Sequence, residues 1–227
     1  MNFYKITNET ETHHDLTYRD GLNIDSVPFS TFWDLQPKGI YFSREDIFAF
    51  LNGIGWTGKY IRRVTLPDDA RVYENPGFPK CWKADRIILG PRRELTVEVF
   101  RELLEEGANV HAGDDFALRW AAGNGDIKTA KLLLENGANV HVGYESVLIS
   151  AVENDDIDVV KLSLEYGADI HAQEEYALHR TITNGSVAMA RFLLEHGANL
   201  QMDSDHLLQW AALLSECAAG VFSKQKE

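Results

Sequence analysis

ELLEEGANVHAGDDFALRWAAGNGDIKTAKLLLENGANVH, residues 102–141, decides the fold, because what it contains returns at a fixed interval. Gly107-Ala108-Asn109 comes back as Gly137-Ala138-Asn139, Gly167-Ala168-Asp169 and Gly197-Ala198-Asn199, each 30 residues after the last. His111, His141 and His171 keep that interval, as do Leu118, Leu148, Leu178 and Leu208. A constant period of this length means stacked units, each burying against its neighbours an apolar face it cannot bury alone.

Within one unit, Phe116-Ala117-Leu118 with Ala121-Ala122 predicts a short helix whose small residues allow close approach, and Gly125 ends it. Asp126 follows as a helix N-cap, and Ile127, Ala130, Leu133 and Leu134 form the apolar stripe of a second helix, stopped by Gly137 in the left-handed conformation. The phrases KLLLENGANVHA and RFLLEHGANL resemble the ankyrin repeat, over residues 96 to about 222. That resemblance implies a solenoid of helix pairs that binds proteins, with no catalytic residue, cofactor or metal. The common ankyrin unit is about 33 residues long, and the deficit here lies between His111 and Leu118. There AGDDFALR, VGYESVLI, AQEEYALH and MDSDHLLQ stand in for the usual turn segment, so the fingers are expected to be stubby.

Charge is divided unevenly. The net charge is −13, yet residues 1–93 carry 13 Lys/Arg against 12 Asp/Glu and the remainder 9 against 23. An acidic array is a poor partner for nucleic acid, which is held by basic side chains neutralising phosphates. No apolar run reaches the roughly 20 residues needed to span a bilayer, and the polar start MNFYKITNETETHH is no signal peptide, so the expectation is a cytoplasmic monomer with no membrane contact. Cys81 and Cys217 are too isolated for a disulfide framework and read as reduced thiols. Adjacent His13 and His14 have no other ligand nearby at a useful spacing and read as loop residues.

Residues 1–93 lack the period and read as a small mixed α/β domain. Phe3–Ile6, Gly39–Phe42, Tyr60–Leu66, Arg71–Tyr73 and Ala84–Leu89 are expected strands, the run between the first two being loop up to Tyr18; Ser43 is the expected cap of a helix over 45–51. The period enters in mid-unit, with VEVFRELLEEG after Thr96, so the array opens with a second helix that lacks its first. Phe100 and Leu103 then need cover, and the preceding domain is the simplest cap. The fold class expected is α+β: a leader over 1–93, then an all-α solenoid over 94–227. The solenoid divides into a half-repeat at 96–110, units at 111–140, 141–170 and 171–200, and a C-terminal cap at 201–227.

The leader segments YKITNETETHHDLTYRDGLNID, KGIYFSREDIFAFL and YIRRVTLPDDARVY resemble the domain that precedes the repeats in ankyrin proteins of giant viruses infecting amoebae. This implies a host-interaction role in the host cytoplasm. DGLNID followed by KGIYFS is also similar to poly-ADP-ribose polymerase-type transferases, which would give Tyr41 the place of their active-site tyrosine and make an ADP-ribosyltransferase targeted by its repeats the alternative function. Tyr4-Lys5, however, occupies the place of that family's His-Gly pair, and no glutamate stands out on a late strand.

Candidate binding residues lie on the array. Asp114-Asp115, Tyr144-Glu145, Glu174-Glu175 and Asp203 with Asp205 fall at one phase of the repeat, where stacking would align an acidic edge for a basic partner protein. Glu153-Asn154 and Thr183-Asn184, at the ends of the first helices, would extend that surface. His111, His141 and His171 are expected to hydrogen-bond the turns, and Trp120 and Trp210, at one phase of the repeat, to pack between units.

Overall fold

A computed structural model describes residues 2–13, 16–30, 39–53, 56–75 and 77–199. The strands are β1 (Phe3–Thr7), β2 (Thr12–His13), β3 (Leu16–Thr17), β4 (Gly21–Ile24), β5 (Ile40–Phe42), β6 (Asn52–Gly53), β7 (Trp56–Thr57), β8 (Tyr60–Thr65), β9 (Val72–Asn75), β10 (Cys81–Ala84), β11 (Arg86–Leu89) and β12 (Arg93–Glu94), with a 3₁₀ turn at Ile47–Phe50. The helices are α1 (Val97–Glu105), α2 (Ala112–Gly123), α3 (Ile127–Glu135), α4 (Val142–Glu153), α5 (Ile157–Glu165), α6 (Ala172–Asn184) and α7 (Val187–Glu195). A β-rich half followed by a helical half makes the chain α+β. The chain divides into two compact units, one running to Ala117 together with Glu135–Ala138, the other formed by Leu118–Leu134 and the residues from Asn139 on. The C-terminal cap, Asp203, Asp205, Trp210, Cys217 and His14 lie outside the described residues.

The first unit is built on two antiparallel sheets. One runs β1-β8-β11-β4, with β12 also paired to β8, and the other runs β5-β10-β9. Ile40, Phe42, Trp82, Val64, Ile87 and Leu89 close a core between them, and Phe3 packs edge-on against the Phe42 and Trp82 rings at 5.1 and 5.0 Å. Three sequence expectations are corrected here. The run to Tyr18 contains the short β2-β3 hairpin, and Gly21–Ile24 is a strand that the sequence did not announce. The apolar run Ala84–Leu89 is broken at Asp85, whose carboxylate turns back to accept from the Arg71 backbone N–H at 2.9 Å, so two strands in different sheets replace one. No helix is capped by Ser43. Its backbone instead exchanges hydrogen bonds with Tyr4 at 2.8 and 2.9 Å and its hydroxyl donates to the Lys80 carbonyl at 2.7 Å, which leaves only the 3₁₀ turn beyond it.

Charged side chains are buried in this unit. Arg62 on β8 donates to both oxygens of Glu11, to Asp20 and to the Gly90 carbonyl, while Thr7 donates to Glu11 at 3.0 Å. Lys5 on β1 is also buried; its Nζ donates to the Tyr41 carbonyl at 2.9 Å and lies 4.6 Å from the Tyr18 ring centre. Burial with so little compensation draws the Lys5 pKa down to about 7. Because the unfolded chain holds this proton up to the ordinary lysine range while the folded chain releases it near neutrality, stability should rise with pH from about 7 to about 10.4. Urea titrations across that range are expected to show the rise, and Lys5→Met should flatten it.

The 3₁₀ turn supplies the cover that α1 needs. Phe48 stacks on Phe100 with ring centres 5.2 Å apart and planes 14° from parallel, and both rings are fully buried with Leu103. Asn109 is held from the same turn: its N–H donates to the Glu45 carbonyl at 2.6 Å and its Nδ2 to Asp46 at 2.9 Å. Glu106 at the end of α1 accepts from the Tyr4 hydroxyl at 2.9 Å and from Asn2. Burial raises the Glu106 pKa, but the Tyr4 and Asn2 donors outweigh it and hold the carboxyl below its ordinary range.

In the second unit the repeated residues take repeated roles. Asp126 caps α3 by accepting from the Thr129 N–H at 3.1 Å and its hydroxyl at 2.6 Å; Asp156 and Ser186 do the same for Val159 and Met189 at the starts of α5 and α7. Gly167 and Gly197, at φ 91° and 102°, end α5 and α7 in the left-handed region, as Gly107 and Gly137 do for α1 and α3. Leu118, Ala121, Ala122, Leu133, Leu148 and Leu178 are fully buried.

Candidate functional site

The segments that replace the ankyrin finger have a backbone of their own. Gly113-Asp114-Asp115, Gly143-Tyr144-Glu145 and Gln173-Glu174-Glu175 each run three residues with positive φ, between 50° and 66°, before the right-handed helix resumes. For non-glycine residues this costs roughly 1–2 kcal/mol each, so the surrounding contacts must impose it. They do so in the same way in every unit. The side chain of Asn109, Asn139 or Asp169 accepts the N–H of the histidine two residues on, at 3.0, 3.0 and 2.9 Å. That histidine's Nδ1 meets the carboxylate four residues further, His111 with Asp115 at 2.9 Å, His141 with Glu145 at 2.6 Å and His171 with Glu175 at 2.5 Å.

The three-residue turn sorts its side chains. The middle residue points out, so Asp114 and Glu174 are exposed and Tyr144 is 83% exposed. The third is turned inward, leaving Asp115, Glu145 and Glu175 only 5%, 5% and 7% exposed. The expectation of paired acids on one exposed edge is corrected to this extent, since the second acid of each pair faces a histidine rather than solvent. A histidine four residues before each of these acids was the available signal. Glu175 is the main influence on His171, whose pKa it raises above the ordinary histidine range.

Gln173 donates from Nε2 to the Tyr144 carbonyl at 2.8 Å, tying adjacent turns of the second unit together. The other predicted surface residues, Glu153, Asn154, Thr183 and Asn184, are all exposed. Asn154 donates to the Gly123 carbonyl at 3.0 Å, Arg180 pairs with Glu153 at 3.0 Å, and Thr183 donates to the His179 carbonyl at 3.1 Å.

The sequence matches the description of ankyrin repeats in three copies over residues 148–223 and of a single ankyrin repeat over 113–143. An uncharacterized protein of Acanthamoeba polyphaga mimivirus is 32% identical over 140 residues, which cover 56% of this chain and 92% of that protein. The chain belongs to the ankyrin repeat family. Two ankyrin repeat proteins of the same virus are 37% and 32% identical over 143 and 138 residues, or 54% and 56% of this chain. The chain spans only 44% and 39% of those two relatives.

Family membership makes the described repeats a protein–protein interaction module. As an ankyrin array it departs from the common form at one place, where the left-handed turn stands instead of a hairpin finger and no strand lies between His111 and Leu118. Tyr41 sits in the first unit, its carbonyl bonded by Lys5 and its ring 5.9 Å from the Lys83 ammonium. No helix among the described residues is long and apolar enough to cross a membrane.

Proposed function

We propose that this ankyrin protein is a non-enzymatic recognition module, acting as a monomer in the host cytoplasm, whose left-handed turns bind a basic surface on a partner protein. The observation that carries the reading is Tyr144, left 83% exposed on a strained backbone with the Gln173-Glu174 turn tied to it. An exposed aromatic on a turn bonded to the one that presents Glu174 has the composition of an interface hot spot for a partner rich in lysine and arginine. Asp114 presents the equivalent acid in its own turn, and Glu153, Asn154, Thr183 and Asn184 add polar contacts.

Tagged full-length protein incubated with amoebal lysate is expected to retain a partner whose capture weakens as salt rises, because exposed charges are screened over about 8 Å at physiological ionic strength. Asp114→Asn with Glu174→Gln should slow association several-fold and leave the unfolding temperature unchanged, and Tyr144→Ala should cost roughly 2 kcal/mol of binding or more. Glu175→Gln should behave differently, lowering stability, since its carboxylate is buried against His171. Capture that ignores salt and all three exposed-residue changes would sink the reading. Label passing from NAD to a lysate protein, and lost in Tyr41→Ala, would put the activity in the first unit instead.

A further inference from the structure

The turn at Gln173-Glu174-Glu175 is closed by a polar contact that a proton can change, between His171 and Glu175. The carboxylates of Glu145 and Glu175 are buried, and Oε2 of each has no hydrogen-bond donor among the described residues, so the histidine at Oε1 is the principal partner each one has. The histidine side chains are about half exposed and open to exchange with solvent. Facing His171 are Glu175 from its own element, Asp169 from the preceding turn and, from the following turn, the Asn199 Nδ2 at 3.4 Å from Nδ1. His141 faces Glu145 and His111 faces Asp115, with the Asn139 and Asn109 side chains on their backbone N–H groups.

We propose that His171 is a positioning residue for recognition, holding Glu174 in its presenting conformation most firmly while the imidazole carries a proton. The inference rests on the recognition reading of these turns. An imidazolium gives the buried carboxylate a charge-assisted bond and an opposite charge; a neutral imidazole keeps at best an ordinary hydrogen bond. The burial cost of the carboxylate is then less well offset, and the strained backbone that the pair imposes loses part of its brace. For His171 the sign follows from its raised pKa: the contact is complete below the ordinary histidine range and is lost as pH rises through the raised value.

The test uses full-length ¹⁵N-labelled protein titrated between about pH 5.5 and 8.5, the range over which histidine changes charge. The amide of Glu174 is expected to shift with the same midpoint as the His171 imidazole, and its protection against hydrogen exchange, relative to the base-catalysed intrinsic rate, to fall several-fold as pH rises. His171→Gln, whose amide can still donate to Glu175 but carries no charge, should show the high-pH pattern at Glu174 at every pH, and His171→Ala a looser one still. A role that was only structural would give no midpoint at Glu174. N-acetylated deca-lysine at low salt, whose charge is constant over this range, should bind several-fold more weakly at the upper end, and His171→Gln should remove that dependence. A Glu174 amide that ignores the imidazole titration would overturn the proposal, as would deca-lysine binding that stays flat while that amide titrates. Titration of the amide with no deca-lysine binding at any pH would instead overturn the recognition reading on which the proposal rests.

Discussion

Phe48→Ala is expected to destabilise the protein by about 3–5 kcal/mol, the range for truncating a buried aromatic ring. The ring is fully buried and stacked on Phe100, so its loss removes packing from two sides at once, the leader turn and the exposed-by-default face of α1. Such a loss is a large fraction of the 5–15 kcal/mol that holds an ordinary domain together. The same reasoning extends to a chain beginning at residue 94. It would leave Phe100 and Leu103 facing water and strip Asn109 of Glu45 and Asp46, and should unfold well below the temperature of the full chain or aggregate. Urea unfolding of Phe48→Ala and thermal unfolding of the truncated chain measure the two; an array that melts with the intact protein would show that α1 needs no cover.

Arg62→Met should be as damaging, at about 3–5 kcal/mol, because it leaves Glu11 ionised and buried without its partner. The side chain of Arg62 saturates Glu11, reaches Asp20 and caps the Gly90 carbonyl, so methionine replaces the volume and none of the bonds. Burial pushes the Glu11 pKa up, yet the Arg62 and Thr7 bonds more than reverse this and hold it below the ordinary glutamate range. A carboxyl with a lowered folded pKa contributes stability that is present above its unfolded value and lost as pH falls through the folded one. The wild-type protein should therefore lose stability on acidification through this pair, and Arg62→Met should lose that part of its acid response. The double change Arg62→Met with Glu11→Leu is expected to recover most of the loss, since an apolar pair of similar volume needs no compensation. A double variant no better than the single one would rule out the unpaired charge as the cause.

Some of this architecture could be read without coordinates because it depends on periodicity and local chemistry. The 30-residue interval, the Asp126 cap, the Gly137 stop and the need of Phe100 for a lid are properties of a few adjacent residues, and each is found in its expected place. Strand β4 was illegible for an equally definite reason. Its apolar Leu22 and Ile24 are 45% and 49% exposed while Asn23 is buried, satisfied by the Arg19 N–H and by the Arg19 and Gly21 carbonyls. A polar residue inside and apolar residues outside invert the alternation by which a half-buried strand is recognised. Ser43 was misread similarly, since a cap residue and a buried strand-pairing serine look alike until the partner strand β1 is in place.

The sequence by itself determined that the chain holds a stack of short ankyrin units after a region without the period, because repeated apolar spacing can be satisfied only by repeated burial; that this region is β-rich, where a mixed α/β domain was expected, came from the tertiary structure. The sequence also determined which residues would lie in the turns. Which of those turn residues face solvent was decided by tertiary structure alone. Three consecutive left-handed residues send neighbouring side chains in opposite directions, and the histidine four positions earlier draws Asp115, Glu145 and Glu175 inward while Asp114, Tyr144 and Glu174 remain outside. Adjacent acids look equivalent in a string of letters; the backbone dihedrals and the histidine contact turn one of them inward and leave the other exposed.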